Sequence, residues 1–95
     1  MARIRNIKPE FWKNEALSEL PECTHMLAAS LLNYADDEGY FNANPGLVRA
    51  ECFPLRDTSV TVPVMLQQLS DIGYIVTYDG SDGRKYGHVI KFAEH

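Results

Sequence analysis

The chain has 95 residues, 45% of them hydrophobic and 11% aromatic, and a formal net charge of −4 at pH 7. That length fits one domain, 1–95, with a single modest core, and that composition excludes a disordered chain. There is no run of about 18 apolar residues to form a membrane-spanning helix, and Met1-Ala2-Arg3-Ile4-Arg5 is not followed by the apolar stretch of a secretion signal.

The charge is unevenly spread. Residues 1–13 carry Arg3, Arg5, Lys8 and Lys13 against Glu10, a net +3. Residues 14–57 carry Arg49 and Arg56 against eight carboxylates, a net −6, and residues 58–95 carry Arg84, Lys85 and Lys91 against Asp71, Asp79, Asp82 and Glu94, a net −1. Positive charge therefore clusters at the two ends of an otherwise acidic chain. Cys23 and Cys52 lack the paired spacing of a zinc site. They read as buried, inert thiols of a cytosolic protein, and no metal or cofactor is expected.

In chain order, Ile4, Ile7, Phe11 and Trp12 are the apolar residues of segment 1–13, whose two aromatics give it the character of an arm anchored on the core, with Pro9 opening a short helical turn. Leu17 to Pro21 reads as a connector. Pro21-Glu22 opens the main core helix, which runs to about Ala35, with Met26, Leu27, Ser30, Leu31 and Tyr34 on one face. Asp36-Asp37-Glu38-Gly39 places three carboxylates where a helix C-terminus prefers cations. The favoured reading is a solvated turn with an Asx-type bond and Gly39 at positive φ. The alternative, a metal or catalytic cluster, lacks an evident His partner. Tyr40-Phe41 is a short strand. Asn42-Ala43-Asn44 caps a second helix that begins at Pro45 and ends at Cys52-Phe53-Pro54.

Val62, Met65, Leu66, Leu69 and Ile72 mark one face of a third helix, capped by Thr61 or Thr58 and stopped by Gly73. Tyr74–Tyr78 and Tyr86–Phe92 are strands of a hairpin, joined by the turn Asp79-Gly80-Ser81-Asp82-Gly83. The fold class is thus α+β: a winged helix-turn-helix with three main helices, a small antiparallel sheet and a β-hairpin wing. Trp12, Leu27, Leu31, Leu66, Leu69 and Ile75 are expected to share one core.

Three blocks carry a family resemblance: Met1-Ala-Arg-Ile-Arg-Asn-Ile-Lys-Pro-Glu-Phe-Trp12, Tyr34-Ala-Asp-Asp-Glu-Gly39 and Leu69-Ser-Asp-Ile-Gly-Tyr-Ile-Val76. Together they resemble the N-terminal domain of phage-encoded replication initiators or replisome organisers, related in plan to the DnaD-type primosomal proteins. The first block is fairly specific; the last recurs in many winged helices. The resemblance covers nearly the whole chain. It implies a winged helix engaged in origin DNA binding or self-association, within a longer protein whose C-terminal region would engage the replicative helicase or its loader. It implies no catalytic residues.

The residues themselves supply a candidate DNA surface. Thr58, Ser59, Thr61, Gln67 and Gln68 surround the third helix, where Gln can pair with adenine and Ser or Thr can reach bases or phosphates. Arg84 and Lys85 at the wing, with Arg3, Arg5 and Lys8 in the arm, are the candidate phosphate contacts. Against this, the chain has no Lys or Arg between Arg56 and Arg84, and the third helix carries Asp71. Two function classes follow: a duplex-DNA-binding domain, or an interaction module that forms a homodimer or docks on a replication partner. With no Gly-rich phosphate loop, nucleophile–base pair or metal spacing, an enzyme is not expected.

Overall fold

The computed structural model describes residues 7–94. The arm contributes two single-turn helices, α1 (Pro9–Trp12) and α2 (Glu15–Ser18). The main elements then follow as α3 (Glu22–Tyr34), β1 (Tyr40–Asn42), α4 (Pro45–Cys52), α5 (Val62–Asp71), β2 (Ile75–Asp79) and β3 (Lys85–Val89), closed by a 3-10 turn at Phe92–Glu94. The strands form one antiparallel sheet in the order β1-β3-β2. Tyr40 lies opposite His88 and Ile75 opposite Val89. Three main helices, a strand between the first two, and a hairpin after the third make this a winged helix-turn-helix. No helix among the described residues is long and apolar enough to cross a membrane.

Local chemistry explains the element boundaries. Asn44 caps α4, its Oδ1 accepting from the Gly46 and Leu47 amides, and Pro45 fills the first helical position where no N–H is needed. α5 ends in a Schellman pair: the Gly73 amide donates to Ser70 and the Tyr74 amide to Leu69, with Gly73 at φ +78°. The acidic turn after α3 closes as an Asx turn. Asp36 Oδ1 accepts from the amides of Glu38 and Tyr40, and Gly39 sits at φ +91°.

The core lies between the helices and one face of the sheet. It contains Leu27 and Leu31 of α3, Val48 of α4, Met65, Leu66 and Leu69 of α5, and Phe41, Ile75 and Val89 of the sheet. Two polar bonds pin it. The hydroxyl of Thr24, fully buried, donates to Gln68 Oε1 at 2.7 Å, and the hydroxyl of buried Tyr74 donates to the Ala28 carbonyl at 2.9 Å. Such groups need partners once removed from water.

Five expectations are corrected. Trp12 is 52% exposed and stays outside the core, while Phe11 is the anchor at 7%; in a single helical turn adjacent side chains diverge, so only one faces inward. Trp12 instead packs edge-on to Phe11 at 4.8 Å and against His25 at 5.1 Å. Leu17–Pro21 is not all connector, since Asn14 caps α2 and Leu17 is fully buried from it. The buried face of α3 is Thr24, Leu27, Ala28, Leu31 and Leu32 instead of one centred on Met26, which is 40% exposed; the small alanines are what let α3 approach its neighbours. Neither threonine caps α5: Thr61 is the N-cap residue but makes no side-chain cap bond, and Thr58 turns its hydroxyl to the Val60 carbonyl. The second wing strand ends at Val89, because Lys91 at φ +55° turns the chain into the 3-10 segment.

Candidate nucleic-acid interface

α4 and α5 with the loop between them form the helix-turn-helix, and β2–β3 form the wing beside it. Three clefts meet there, and Pro45 at the start of α4 lines all of them. The first, about 500 Å³, lies between the beginnings of α4 and α5 and includes Arg49, Asp57, Thr58, Ser59, Thr61 and Pro63. The second, about 280 Å³, joins Pro63, Gln67 and Ser70 of α5 to Thr77 and Lys85 of the wing. The third, about 480 Å³, joins Asn44 and Leu47 of α4 to Gly83, Arg84 and Lys85. One continuous surface therefore carries Thr58, Ser59, Gln67, Arg84 and Lys85.

The remaining candidates lie elsewhere. Gln68 commits its side-chain oxygen to Thr24 in the α3–α5 interface, so Gln67 is the glutamine that faces outward. Lys8 donates from Nζ to the Glu94 carbonyl at 3.0 Å. Glu94 borders the cleft of Ile72, Gly73 and Tyr74, at the far end of α5 from Pro63. Lys8 therefore lies beside a cleft that shares no lining residue with those of Arg84 and Lys85. Arg3 and Arg5 lie outside the described residues.

The polar groups on this surface are partly engaged with one another. Gln67 Nε2 donates to Asp71 Oδ1 at 2.8 Å, one helical turn on. Arg49, which the sequence did not single out, reaches the Arg56 carbonyl at 3.1 Å and the Asp57 carboxylate at 3.6 Å, both on the α4–α5 loop. Nothing in its spacing marks it, because the contact depends on the loop folding back over α4. Ser59 Oγ lies 3.4 Å from Cys23 Sγ. At the wing tip, Asp82 Oδ1 accepts from the Arg84 amide and Oδ2 from the Tyr86 hydroxyl. The Tyr86 bond, and next the Arg84 amide, hold the Asp82 carboxyl below its ordinary value. The same bond raises Tyr86. Arg84 and Lys85 are exposed, and the Arg84 charge lies close enough to Asp82 to add to the lowering of its carboxyl.

Among the described residues, no group of three or more His, Cys, Asp or Glu side chains could hold a metal ion. The Asp36–Glu38 turn spends one carboxylate oxygen on backbone amides, a structural use. No family model, curated protein or solved structure matches this chain.

Proposed function

We propose that this domain binds duplex DNA through the loop before α5, the outward side of α5 and the wing, as the DNA-binding part of a phage-type replication initiation protein. The observation that carries this is the placement of Arg84 and Lys85. Both are exposed, and Lys85 shares one cleft with Gln67 on α5 and another with the start of α4. Cations beside an exposed helix of a helix-turn-helix can hold phosphates and set the protein's register on the duplex. Gln67 is the side chain positioned to meet a base edge, after releasing Asp71. The replication role rests on the resemblance of the three sequence blocks.

A second reading is favoured by one observation. The outward face of α5 presents Val64, Gln67 and Asp71 and no cation, and Val64 is 45% exposed. Such a face also suits association with a second copy or with another replication protein. Duplex titrations of the native chain and of Arg84→Ala/Lys85→Ala, with the mass of each in solution, separate the two. DNA binding requires the native chain to bind at low salt and the variant to lose most of that affinity. Absence of binding at low salt, together with a dimer mass, establishes the association module instead.

A further inference from the structure

The sheet has a second face, turned away from the helices. Strand alternation sends Phe41, Gly87, Ile75 and Val89 inward and Tyr40, Val76, Tyr78, Tyr86 and His88 outward. The register arranges the outward group in two rows across the strands, Tyr40–His88–Val76 and Tyr86–Tyr78. The Tyr40 and His88 rings lie 4.3 Å apart, tilted by 35°, and the Tyr78 and Tyr86 rings lie 6.1 Å apart, tilted by 30°. His88 is held in place by its Nε2, which lies 3.0 Å from the Glu38 carbonyl. Tyr40, Tyr78 and Val76 are 44%, 42% and 45% exposed. Single exposed apolar residues are ordinary, but a contiguous set on one sheet face marks an interaction surface.

Charge identifies the partner. Lys85 lies on the inner side of the sheet, facing the α5 cleft, while Arg84 lines the cleft beside α4 and carries its charge close enough to Asp82 and Tyr86 to act on both. Apart from Arg84 beside Asp82, the formal charges next to the aromatic rows are negative. Asp82 is bonded to the Tyr86 hydroxyl at one end, and the exposed turn Asp36-Asp37-Glu38 adjoins Tyr40 and His88 at the other. We propose that this outer sheet face docks a basic, extended protein segment, with arginine or lysine side chains over the exposed faces of Tyr40 and Tyr78 and their charges toward Asp82 and Glu38. Tyrosine rings attract cations through their quadrupole, and the acidic border adds long-range attraction and rejects nucleic acid. The inference does not depend on DNA binding by the opposite side.

The test is a titration of the full chain with a fluorescent arginine-rich peptide, alongside an acidic peptide and a single-stranded oligonucleotide. The basic peptide is expected to bind with salt-sensitive affinity and the other two not to bind. Tyr78→Ala and Tyr40→Ala should each weaken binding by about two- to fivefold, and Asp82→Asn should weaken it at low salt. Chemical-shift mapping on the native chain, which needs no variant, should move Tyr40, Tyr78, Tyr86 and His88 and leave Phe41 in place. Peptide binding indifferent to both tyrosines, or shifts confined to α5, would overturn the proposal. So would tyrosine-dependent binding of the oligonucleotide, which makes the face a base-stacking platform, or loss of a dimer in Tyr78→Ala, which makes its occupant a second copy.

Discussion

Gly73 and Gly87 are glycines for different reasons. A Cβ at Gly73 would meet nothing within 4 Å, so only its φ of +78° requires glycine there. A Cβ at Gly87 would clash with the Phe41 ring, because the Cζ end of that ring lies over the Gly87 backbone from β1. Gly73→Val should therefore lower the unfolding free energy by about 1–2 kcal/mol, the cost of a left-handed side-chain-bearing residue, with no new steric conflict. A urea melt checks it, and an unchanged midpoint would mean that the chain can leave α5 another way. The two thiols differ as sharply. Burial, and then the Glu51 charge, push Cys52 up to about 11. At Cys23 burial also raises the value, but hydrogen bonds from the Ser59 side chain and from the Val60 and Ser59 amides outweigh it and leave the thiol below its ordinary value. Only the thiolate is nucleophilic, and it forms as pH rises through the pKa. Cys23 should thus be alkylated at pH 8 well before Cys52. Mass spectrometry after brief iodoacetamide treatment reads this directly, and equal labelling would contradict it.

Among the elements, α5 is the one on which the others are assembled. Met65, Leu66 and Leu69 face α3, α4 and the sheet, and Leu69 has no exposed surface. Leu69→Ala should cost about 2–5 kcal/mol, through lost burial and the cavity left behind. Trp12, despite its size, is half in solvent, and its contacts are to Phe11 and His25. Trp12→Ala should cost about 0.5–1.5 kcal/mol, the worth of an aromatic contact. Denaturant melts of the two variants test the order. A larger loss at Trp12 would place the arm's anchor in the wrong residue.

For the whole molecule, the arrangement of charge limits DNA binding. Five cations drawn from the arm and the wing would allow a log–log salt slope near −4.5 by counterion release. Lys8, however, is tied to Glu94 at the far end of α5, and Arg49 lies against Asp57. The two wing cations alone correspond to a slope of about −2. Anisotropy titrations over a range of salt should give a value near that figure. A slope of −4 or steeper would show that Lys8 or the residues before it reach the phosphates. A shallow slope also implies weak binding by one copy, so firm attachment to DNA would need several copies or further contacts.

What the sequence determined alone is the run of elements whose signals are local. Asn44-Pro45 starts α4 and Gly73 ends α5 because capping bonds and positive φ involve residues only a few places apart. The Asp36 turn, the period of α5 and the hairpin around Asp82-Gly83 are local in the same sense. Together these signals were enough to write the order of a winged helix. Tertiary structure decided which face each segment shows. The choice between Phe11 and Trp12, and the turning of α3 onto Thr24, Ala28 and Leu32, depend on neighbours far along the chain. So does the pairing of Gln68 with Thr24, which takes one of two adjacent, chemically identical side chains off the candidate surface. The aromatic rows were half visible as alternation within the wing strands, but they became one face only when β1 docked beside β3 and set Tyr40 against His88. Register across strands is a relation between distant residues, and burial is a property of the assembled core; neither is stored in the spacing of a single segment.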